Sequence, residues 1–341
     1  MRRVRLRLVR GVEVEFVDRE VALGQLREVA ERGTRFPLVV YGPEGCGKTA
    51  LLRQAVEVLR EWGYSVVYVN PLGEVAERLV ATDDLKDVVK RTWREVLGGV
   101  VNPAAPALVD LALAVVSRAL KRGKKRIAIL ADDVFQAVGL DRVEQLVKSV
   151  LNFIEYPPAD YDSVVAVVAS SEGVTRSRVG RHDWASLRLM WNMSREGFEE
   201  LYRAMPGPKP PFNEVWRWTG GNPRYLGKLY ESGWDPAVVA RDVAKGRGLW
   251  DFVKRLGARE VEWLRRAVED PDALYDGEAP AALVEGLVEM NLVVRLWDRD
   301  PRGWVDAPPP ERDLELGIGR HYAWQTPLHR EAVKVALESS A

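Results

Sequence analysis

The sequence predicts an α/β fold, in which helices cover both faces of a parallel sheet, followed by a smaller helical part. Short apolar segments alternate with segments of helical periodicity up to about residue 193, which is typical of parallel sheets. Beyond that point the pattern is helical and rich in turns, until two further strand-like segments occur near the end. Hydrophobic residues make up 47% of the 341 residues, so the chain is able to bury a full core.

These patterns divide the chain into three predicted parts. Residues 1–193 are predicted to form the α/β core with an N-terminal arm of strands, and residues 194–248 a helical lid. Residues 249–341 are predicted to form a winged-helix-like domain. This last prediction rests on helical patterns at 258–269 and 280–290, followed by two strands that a long Pro/Gly-rich loop separates.

Within the core, four buried strands and a shorter fifth are predicted from the segments FPLVVYG, YSVVYVN, RIAILADD, SVVAVVASS and SLRLMWNM. Residues 4–17 alternate apolar and charged side chains, which predicts a hairpin or an edge arm. Helices are expected between the strands, including stretches at 18–33, 74–97 and 104–122.

The composition excludes several classes of protein. Lys plus Arg and Asp plus Glu both number 50, so no global basic field attracts nucleic acid. The single cysteine, Cys46, excludes an intrachain disulfide and a cysteine metal cluster, and it indicates a reducing cytoplasm. No segment is apolar over the length of a membrane span.

The segment YGPEGCGKTA, residues 41–50, matches the pattern G-x-x-x-x-G-K-S/T between a predicted strand and a predicted helix. Glycines let successive backbone N–H groups converge on phosphate oxygens, and the first turn of the helix adds further donors. Lys48 would reach the β- and γ-phosphates, and the Thr49 hydroxyl would ligate Mg²⁺. The residues predicted to bind ATP or ADP are Gly42, Pro43, Glu44, Gly45, Cys46, Gly47, Lys48, Thr49 and Ala50.

A metal-binding carboxylate is expected at the end of a neighbouring buried strand. The segment RIAILADD supplies Asp132, which would hold Mg²⁺, and Asp133, which would orient the attacking water. The alternative is that both aspartates only cap the next helix. The fourth strand is expected to lie between this strand and the glycine loop, so Ser170 or Ser171 would contact the γ-phosphate or form an ordinary polar strand end.

In their order these motifs resemble the archaeal P-loop ATPases of the AAA+/STAND type, within the ASCE class of P-loop NTPases. The segment FVDREVALGQL is similar to the first motif of that family, and TGGNPRYL at 219–226 to its Gly-Gly-x-Pro turn. The resemblance covers roughly residues 16–230. It implies that Val17 and Arg19 line one side of the adenine and Pro223 the other.

The resemblance also implies an arginine that stabilises charge on the phosphates. The family's Gly-Arg pair matches Gly180 and Arg181, which favours Arg181 over Arg176 and Arg178. The alternative for all three arginines is a solvated basic loop. The typical archaeal member has Asp-Glu where this chain has Asp-Asp, so Asp133 is one methylene shorter than its counterpart.

The predicted function is therefore a slow, Mg²⁺-dependent ATPase that acts as a nucleotide-gated switch on a protein partner. Lys48, Asp133, Ser170 and Arg181 would be its catalytic residues. One alternative is a DNA-directed AAA+ protein of the initiator or loader type, and another is a nucleotide-bound scaffold with negligible hydrolysis. Glu285 lies in the predicted recognition helix and disfavours DNA. The sequence leaves the oligomeric state open.

Overall fold

The computed structural model describes residues 2–74, 78–98, 100, 103–170, 179–180 and 183–339. The chain forms two compact units that interleave along the sequence. The first unit comprises Met1–Val4, Glu20–Tyr41 and Lys48–Arg188, and the second comprises Arg5–Arg19, Gly42–Gly47 and Leu189–Ala341. The three-part division at residues 193 and 248 stays a prediction.

All the predicted core strands form, and the structure adds two short strands, β5 and β10. In chain order the strands are β1 Arg5–Val9, β2 Val12–Glu15, β3 Leu38–Tyr41, β4 Ser65–Val69, β5 Leu79–Ala81, β6 Arg126–Asp132, β7 Ser163–Ser170, β8 Ser186–Met190, β9 Val293–Arg295, β10 Trp304–Val305 and β11 Tyr322–Trp324.

The sheet of the first unit has the strand order β8-β3-β7-β6-β4-β5. Strands β3, β7, β6 and β4 pair in parallel, so their carboxyl ends share one edge. Tyr41 at the end of β3 lies opposite Ser170, and Asp132 at the end of β6 lies opposite Ala169. Strand β7 thus lies between the strand that leads into the glycine loop and the strand that ends in Asp132, as the sequence predicts.

The helix predicted over residues 74–97 is wrong in its first half. Strand β5 pairs there antiparallel with β4, and the helix begins only at Lys86. The backbone N–H of Val66 in β4 donates to the Thr82 hydroxyl (3.1 Å), and the N–H of Thr82 donates to the Val66 carbonyl (3.1 Å). Side-chain bonds to the backbone of this kind compete with a helix, and here they favour the added strand.

The helices of the first unit cover the sheet. They are α1 Glu20–Arg32, α2 Lys48–Glu61, α3 Lys86–Leu97, α4 Ala105–Lys121, α5 Val134–Val138 and α6 Leu140–Glu155. Strands β4 and β7 are buried along their whole length, as expected for parallel strands between two helical layers. Among the described helices, none combines the length and the apolar character needed to cross a membrane.

The second unit is mainly helical. Its helices are α7 Arg195–Arg203, α8 Phe212–Thr219, α9 Pro223–Glu231, α10 Pro236–Gly246, α11 Leu249–Arg255, α12 Ala258–Glu269, α13 Ala281–Glu289 and α14 Pro327–Glu338. Phe198, Leu226, Trp324 and Leu328 are among the fully buried side chains of its core. Strands β9 and β11 pair antiparallel. These elements match the predicted helices and hairpin, and the winged-helix interpretation stays a prediction.

The N-terminal arm is an antiparallel hairpin of β1 and β2, as predicted. Arg5 lies opposite Glu15, and Arg7 lies opposite Glu13. All four side chains are exposed, so the basic residues of the arm face acidic residues on the adjacent strand. Opposite charges across a strand pair stabilise the hairpin and leave this face without a surplus of positive charge.

Candidate functional site

The glycine loop connects β3 to α2, and α2 begins at Lys48. Two positions of this loop require glycine. Gly42 has φ +151°, and a Cβ there would overlap the backbone carbonyl of Met190. Gly45 has φ +78°, and a Cβ there would overlap the Cβ of Arg224. The loop is therefore packed against other backbone and side-chain atoms in a shape that residues with a Cβ cannot adopt.

A buried guanidinium holds the carbonyl of Cys46 in this loop. Nη2 of Arg19 donates to the Cys46 carbonyl at 2.7 Å and to the Trp191 carbonyl at 2.9 Å. In a trans peptide the carbonyl and the following N–H point in opposite directions. The N–H of Gly47 consequently points away from Arg19.

The Gly-Gly-x-Pro turn holds a second carbonyl of the loop. Nδ2 of Asn222 donates to the Glu44 carbonyl at 3.0 Å, which turns the N–H of Gly45 to the opposite side. The N–H of Glu44 itself donates to Oε1 of Gln325 at 2.9 Å. Asn222 also caps α9, because its Oδ1 accepts the N–H of Arg224. The turn therefore fixes both a helix and the loop.

The side chain of Glu44 forms ion pairs with Arg224 of α9 and with Arg247, which directly follows α10. Burial alone would raise the pKa of Glu44, but the charges of the two arginines outweigh it and hold the pKa below its ordinary value. The loop is thus connected by charge to two helices of the second unit.

The start of α2 provides the cation and the hydroxyl that the motif predicts. Lys48 is buried, and Thr49 follows it in the first turn of the helix, where backbone N–H groups lack partners within the helix. The Thr49 hydroxyl hydrogen-bonds to Asp132, and the charge of Lys48 acts on the same carboxyl. The structure therefore brings together, within the first unit, three of the predicted site residues.

Asp132 lies at the end of β6 and is only 1% exposed. Its Oδ2 accepts hydrogen bonds from the Tyr68 hydroxyl (3.0 Å) and from Nδ2 of Asn70 (3.4 Å). Burial and then the neighbouring charge of Asp133 raise the pKa of Asp132 to about 6, against the opposing effect of the Thr49 hydrogen bond. The charge of Lys48 and the hydrogen bonds of Asp132 do not offset these effects, and a divalent cation would favour the ionised carboxylate further.

Asp133 and Ser170 lie at the same edge of the sheet as Asp132. Asp133 has φ +49°, a left-handed backbone conformation that side-chain-bearing residues rarely adopt, and its N–H donates to the Ala169 carbonyl at 3.2 Å. It directly precedes α5 without capping it through its side chain. Ser170 ends β7 and is buried. Strained residues of this kind concentrate at functional sites.

The residues that the family resemblance assigns to the adenine all lie in the second unit. Val17 packs against the hydrophobic core of that unit, and Pro223 is the first residue of α9. The Arg19 guanidinium donates to backbone carbonyls and pairs with Asp306. The assignment of these three residues to the adenine stays a prediction. Arg181, like Ser171, Arg176 and Arg178, lies outside the described residues.

Sequence reasoning missed several polar residues that contact the predicted site residues. Tyr68 and Asn70 lie near the end of β4, next to β6 in the sheet, and their position in the segment YVN was a usable signal. Asn222 lies within the Gly-Gly-x-Pro turn and was recognisable as a helix cap. Asp306 and Gln325 are distant in sequence, and no local pattern marks them.

A strand, a glycine loop in which side chains hold the carbonyls of Glu44 and Cys46, and a helix that begins at a lysine define a P-loop nucleotide-binding protein. More specifically, the sequence model of a family described as an ATPase domain predominantly from Archaea matches residues 16–229. The match covers more than half of the chain, and the chain belongs to this family. The resemblance to an archaeal P-loop ATPase family is therefore confirmed, and its STAND and winged-helix details stay predictions. No curated protein matches the sequence.

Several solved structures are similar to this chain at low sequence identity. The Orc2 protein of Aeropyrum pernix, in complexes with ADPNP and ADP, is 15% identical, with 79% of this chain and 78% of that chain covered and a TM-score of 0.40. Cdc6p from Pyrobaculum aerophilum is 14% identical, with coverages of 95% and 96% and a TM-score of 0.39. AMPPCP-bound DnaA from Aquifex aeolicus is 17% identical, with coverages of 80% and 84% and a TM-score of 0.38.

Proposed function

We propose that this ATPase-family chain binds ATP with Mg²⁺, hydrolyses it slowly in the cytoplasm, and acts as a nucleotide-gated switch on a protein partner. The observation that carries the proposal is the contact of the buried Asp132 carboxyl with the Thr49 hydroxyl, one residue after Lys48. A helix start and a neighbouring strand end thereby supply both ligands that a phosphate-bound cation requires.

The residues present fit a magnesium ion. The described residues contain no group of three or more His, Cys, Asp or Glu side chains suited to a metal. Mg²⁺ in nucleotide sites commonly uses one or two protein oxygens, together with phosphates and water. Asp132 and Thr49 would hold it, and once bound it would neutralise charge on the β- and γ-phosphates.

The chain's own groups bind and orient the triphosphate. The N–H groups of Gly45 and Gly47 donate to phosphate oxygens, since their peptides are held in that orientation by Asn222 and Arg19. The buried ammonium of Lys48 adds a positive charge that replaces lost hydration. Following the family resemblance, Val17, Arg19 and Pro223 line the adenine.

Asp133 orients the attacking water, and Ser170 contacts the γ-phosphate. The carboxyl of Asp133 is one methylene shorter than the glutamate of the typical family member, so its hydrogen bond to water is longer and turnover is slow. Its left-handed backbone directs the side chain differently from a regular strand residue. Arg181 stabilises charge on the phosphates, as the resemblance implies.

The switch is proposed because Glu44 connects the loop to α9 and to the end of α10. A change in the loop on nucleotide exchange would alter its ion pairs with Arg224 and Arg247, and so would act on the helices that carry them. A protein partner is favoured over nucleic acid because the exposed Glu285 and Glu289 project from α13, and acidic groups repel phosphates.

Phosphate release by the purified protein tests the proposed activity. Wild-type protein with ATP and Mg²⁺ should release phosphate slowly. Lys48→Ala should abolish release by weakening binding, whereas Asp133→Asn should abolish it while ATP binding persists. Equal release by the wild type and both variants would show that the catalytic assignments are wrong.

Capture of partners tests the proposed switch. Asp133→Asn with ATP and wild type with ADP should capture different sets of partner proteins. Capture of the same partners in both nucleotide states would contradict the switch.

A further inference from the structure

Arg19 and Asp306 form a buried ion pair between the start of the family domain and the C-terminal segment. Nη1 of Arg19 lies 2.8 Å from Oδ2 of Asp306, and the two side chains are 3% and 8% exposed. The family match ends at residue 229, so Asp306 lies outside it. Burial of an ion pair costs desolvation energy. A buried pair that joins two positions so distant in sequence therefore calls for a specific explanation.

Both members of the pair have an unfavourable backbone conformation. Arg19 has φ +71° and Asp306 has φ +67°, the left-handed region that non-glycine residues seldom occupy. Asp306 directly follows β10, whose two residues pair in parallel with the end of β8. Because both residues of the ion pair are strained, we infer that the surrounding structure holds these two side chains in a specific orientation.

The other donors of Arg19 identify what the ion pair supports. Nη2 binds the carbonyls of Cys46 and Trp191, and Nη1 lies 3.5 Å from the Asn192 carbonyl as well as close to Asp306. A guanidinium this deeply buried keeps its position only if its charge is compensated. Without the Asp306 carboxylate, the guanidinium would move toward water and release the Cys46 carbonyl.

Release of that carbonyl would change the nucleotide site directly. The Cys46–Gly47 peptide is planar, so rotation of the Cys46 carbonyl rotates the N–H of Gly47 with it. Gly47 has φ +106° and offers no Cβ to resist the rotation. If the ion pair served only to attach the segment around β10, its arginine would not need to bind the loop at all.

We propose that Asp306 is a positioning residue of the nucleotide site: acting through Arg19, it fixes the Cys46–Gly47 peptide so that the Gly47 N–H points at the phosphates. The proposal rests on the proposed ATP-binding function. Because it concerns the loop, Asp306 should affect binding of the phosphates whether or not adenine is attached.

The test compares Asp306→Asn with Glu315→Gln, which makes the same carboxylate-to-amide change in an exposed ion pair of the same segment. The affinities for Mg²⁺-ATP and for inorganic tripolyphosphate with Mg²⁺ are measured at a temperature at which thermal unfolding shows each protein to be folded. Asp306→Asn should weaken both at least tenfold, by similar factors, and Glu315→Gln should stay within twofold of wild type. Wild-type affinities in folded Asp306→Asn would overturn the proposal.

A double variant keeps the test decisive if Asp306→Asn does not fold. Arg19→Met with Asp306→Leu replaces the ion pair by apolar groups, a change that commonly restores stability. A positioning role predicts that the double variant still binds tripolyphosphate at least tenfold more weakly than wild type, and a purely structural role predicts wild-type binding. If wild-type protein itself binds neither probe, the proposed function has failed first, and that failure is distinguishable from failure of Asp306 alone.

Discussion

At the scale of single residues, the buried Asp132 carboxyl, which we propose as a magnesium ligand, lowers the stability of the folded protein. Burial and the charge of Asp133 raise its pKa from 3.8 to about 6, although the Thr49 and Tyr68 hydrogen bonds act in the opposite direction. Between those pH values the folded protein retains a proton that the unfolded chain has lost. The free energy of unfolding therefore falls as the pH rises from about 4 through 6.

In metal-free buffer, replacing Asp132 by Asn should remove this fall in the free energy of unfolding with rising pH. At pH 8 in EDTA, Asp132→Asn should unfold with a free energy up to about 3 kcal/mol above that of wild type, since each pKa unit corresponds to about 1.4 kcal/mol. At pH 4 the two proteins should be nearly equal, and Asp132→Asn should bind Mg²⁺-ATP poorly. Urea unfolding at both pH values provides the measurement.

Asp84 offers a control of opposite sign for the Asp132 prediction. Burial acts to raise the pKa of Asp84, but hydrogen bonds from Lys124, Ser65 and Thr82 outweigh it and hold the pKa below its ordinary value. Asp84→Asn should therefore lower the stability at pH 8. If Asp132→Asn were as destabilising as Asp84→Asn at that pH, the interpretation of Asp132 as an uncompensated buried charge would be wrong.

At the scale of elements, the glycine loop depends on a backbone shape that neighbouring atoms enclose. Gly45 and Gly63 have nearly the same φ, +78° and +80°, but only at Gly45 would a Cβ meet other atoms, those of Arg224. Substitution by Ala imposes a similar left-handed strain of about 1–2 kcal/mol at both positions. The difference between the two variants therefore measures the crowding at Gly45.

Gly45→Ala should destabilise the protein by at least about 1 kcal/mol more than Gly63→Ala and should also weaken Mg²⁺-ATP binding. Gly63→Ala should leave ATP binding unchanged, because Gly63 follows α2 at the end remote from Lys48. Thermal unfolding and nucleotide titration of both variants provide the comparison. Equal stability and equal binding would show that the loop tolerates a side chain at Gly45.

The elements that the sequence predicted correctly are those with strong, continuous patterns. The buried strands of the sheet and the helices after them have an unambiguous period and clear ends. Strand β5 was missed because Leu79–Ala81 is too short to show alternation and adjoins a helical pattern. Strand β10 consists of two residues, and its pairing with β8 depends on a contact distant in sequence.

The same distinction holds for the candidate site. Lys48, Thr49 and Asp132 were predicted because a local motif and a strand end place them, and the structure brings their side chains together. Arg19 was predicted at the adenine, but its bonds to Cys46 and Asp306 became visible only in three dimensions. Local sequence contains no information about such long-range partners.

At the scale of the whole molecule, segments beyond the family domain contact the glycine loop. Gln325 and Asp306 both lie far past residue 229. Gln325 accepts the N–H of Glu44, and Asp306 pairs with Arg19, which in turn holds the Cys46 carbonyl. All these residues belong to the second unit. Nucleotide binding and the conformation of the C-terminal segment should therefore be coupled, as a switch requires.

The central claim is that the glycine loop, Lys48 and Asp132 hold Mg²⁺ and a triphosphate together. Isothermal titration of the purified protein with ATP, in Mg²⁺ and again in EDTA, tests it most directly. The account predicts one site per chain in Mg²⁺, at least tenfold weaker binding in EDTA, and a similar or larger loss for Lys48→Ala in Mg²⁺. An absence of binding heat at several temperatures, or equal affinity for wild type and Lys48→Ala, would contradict it.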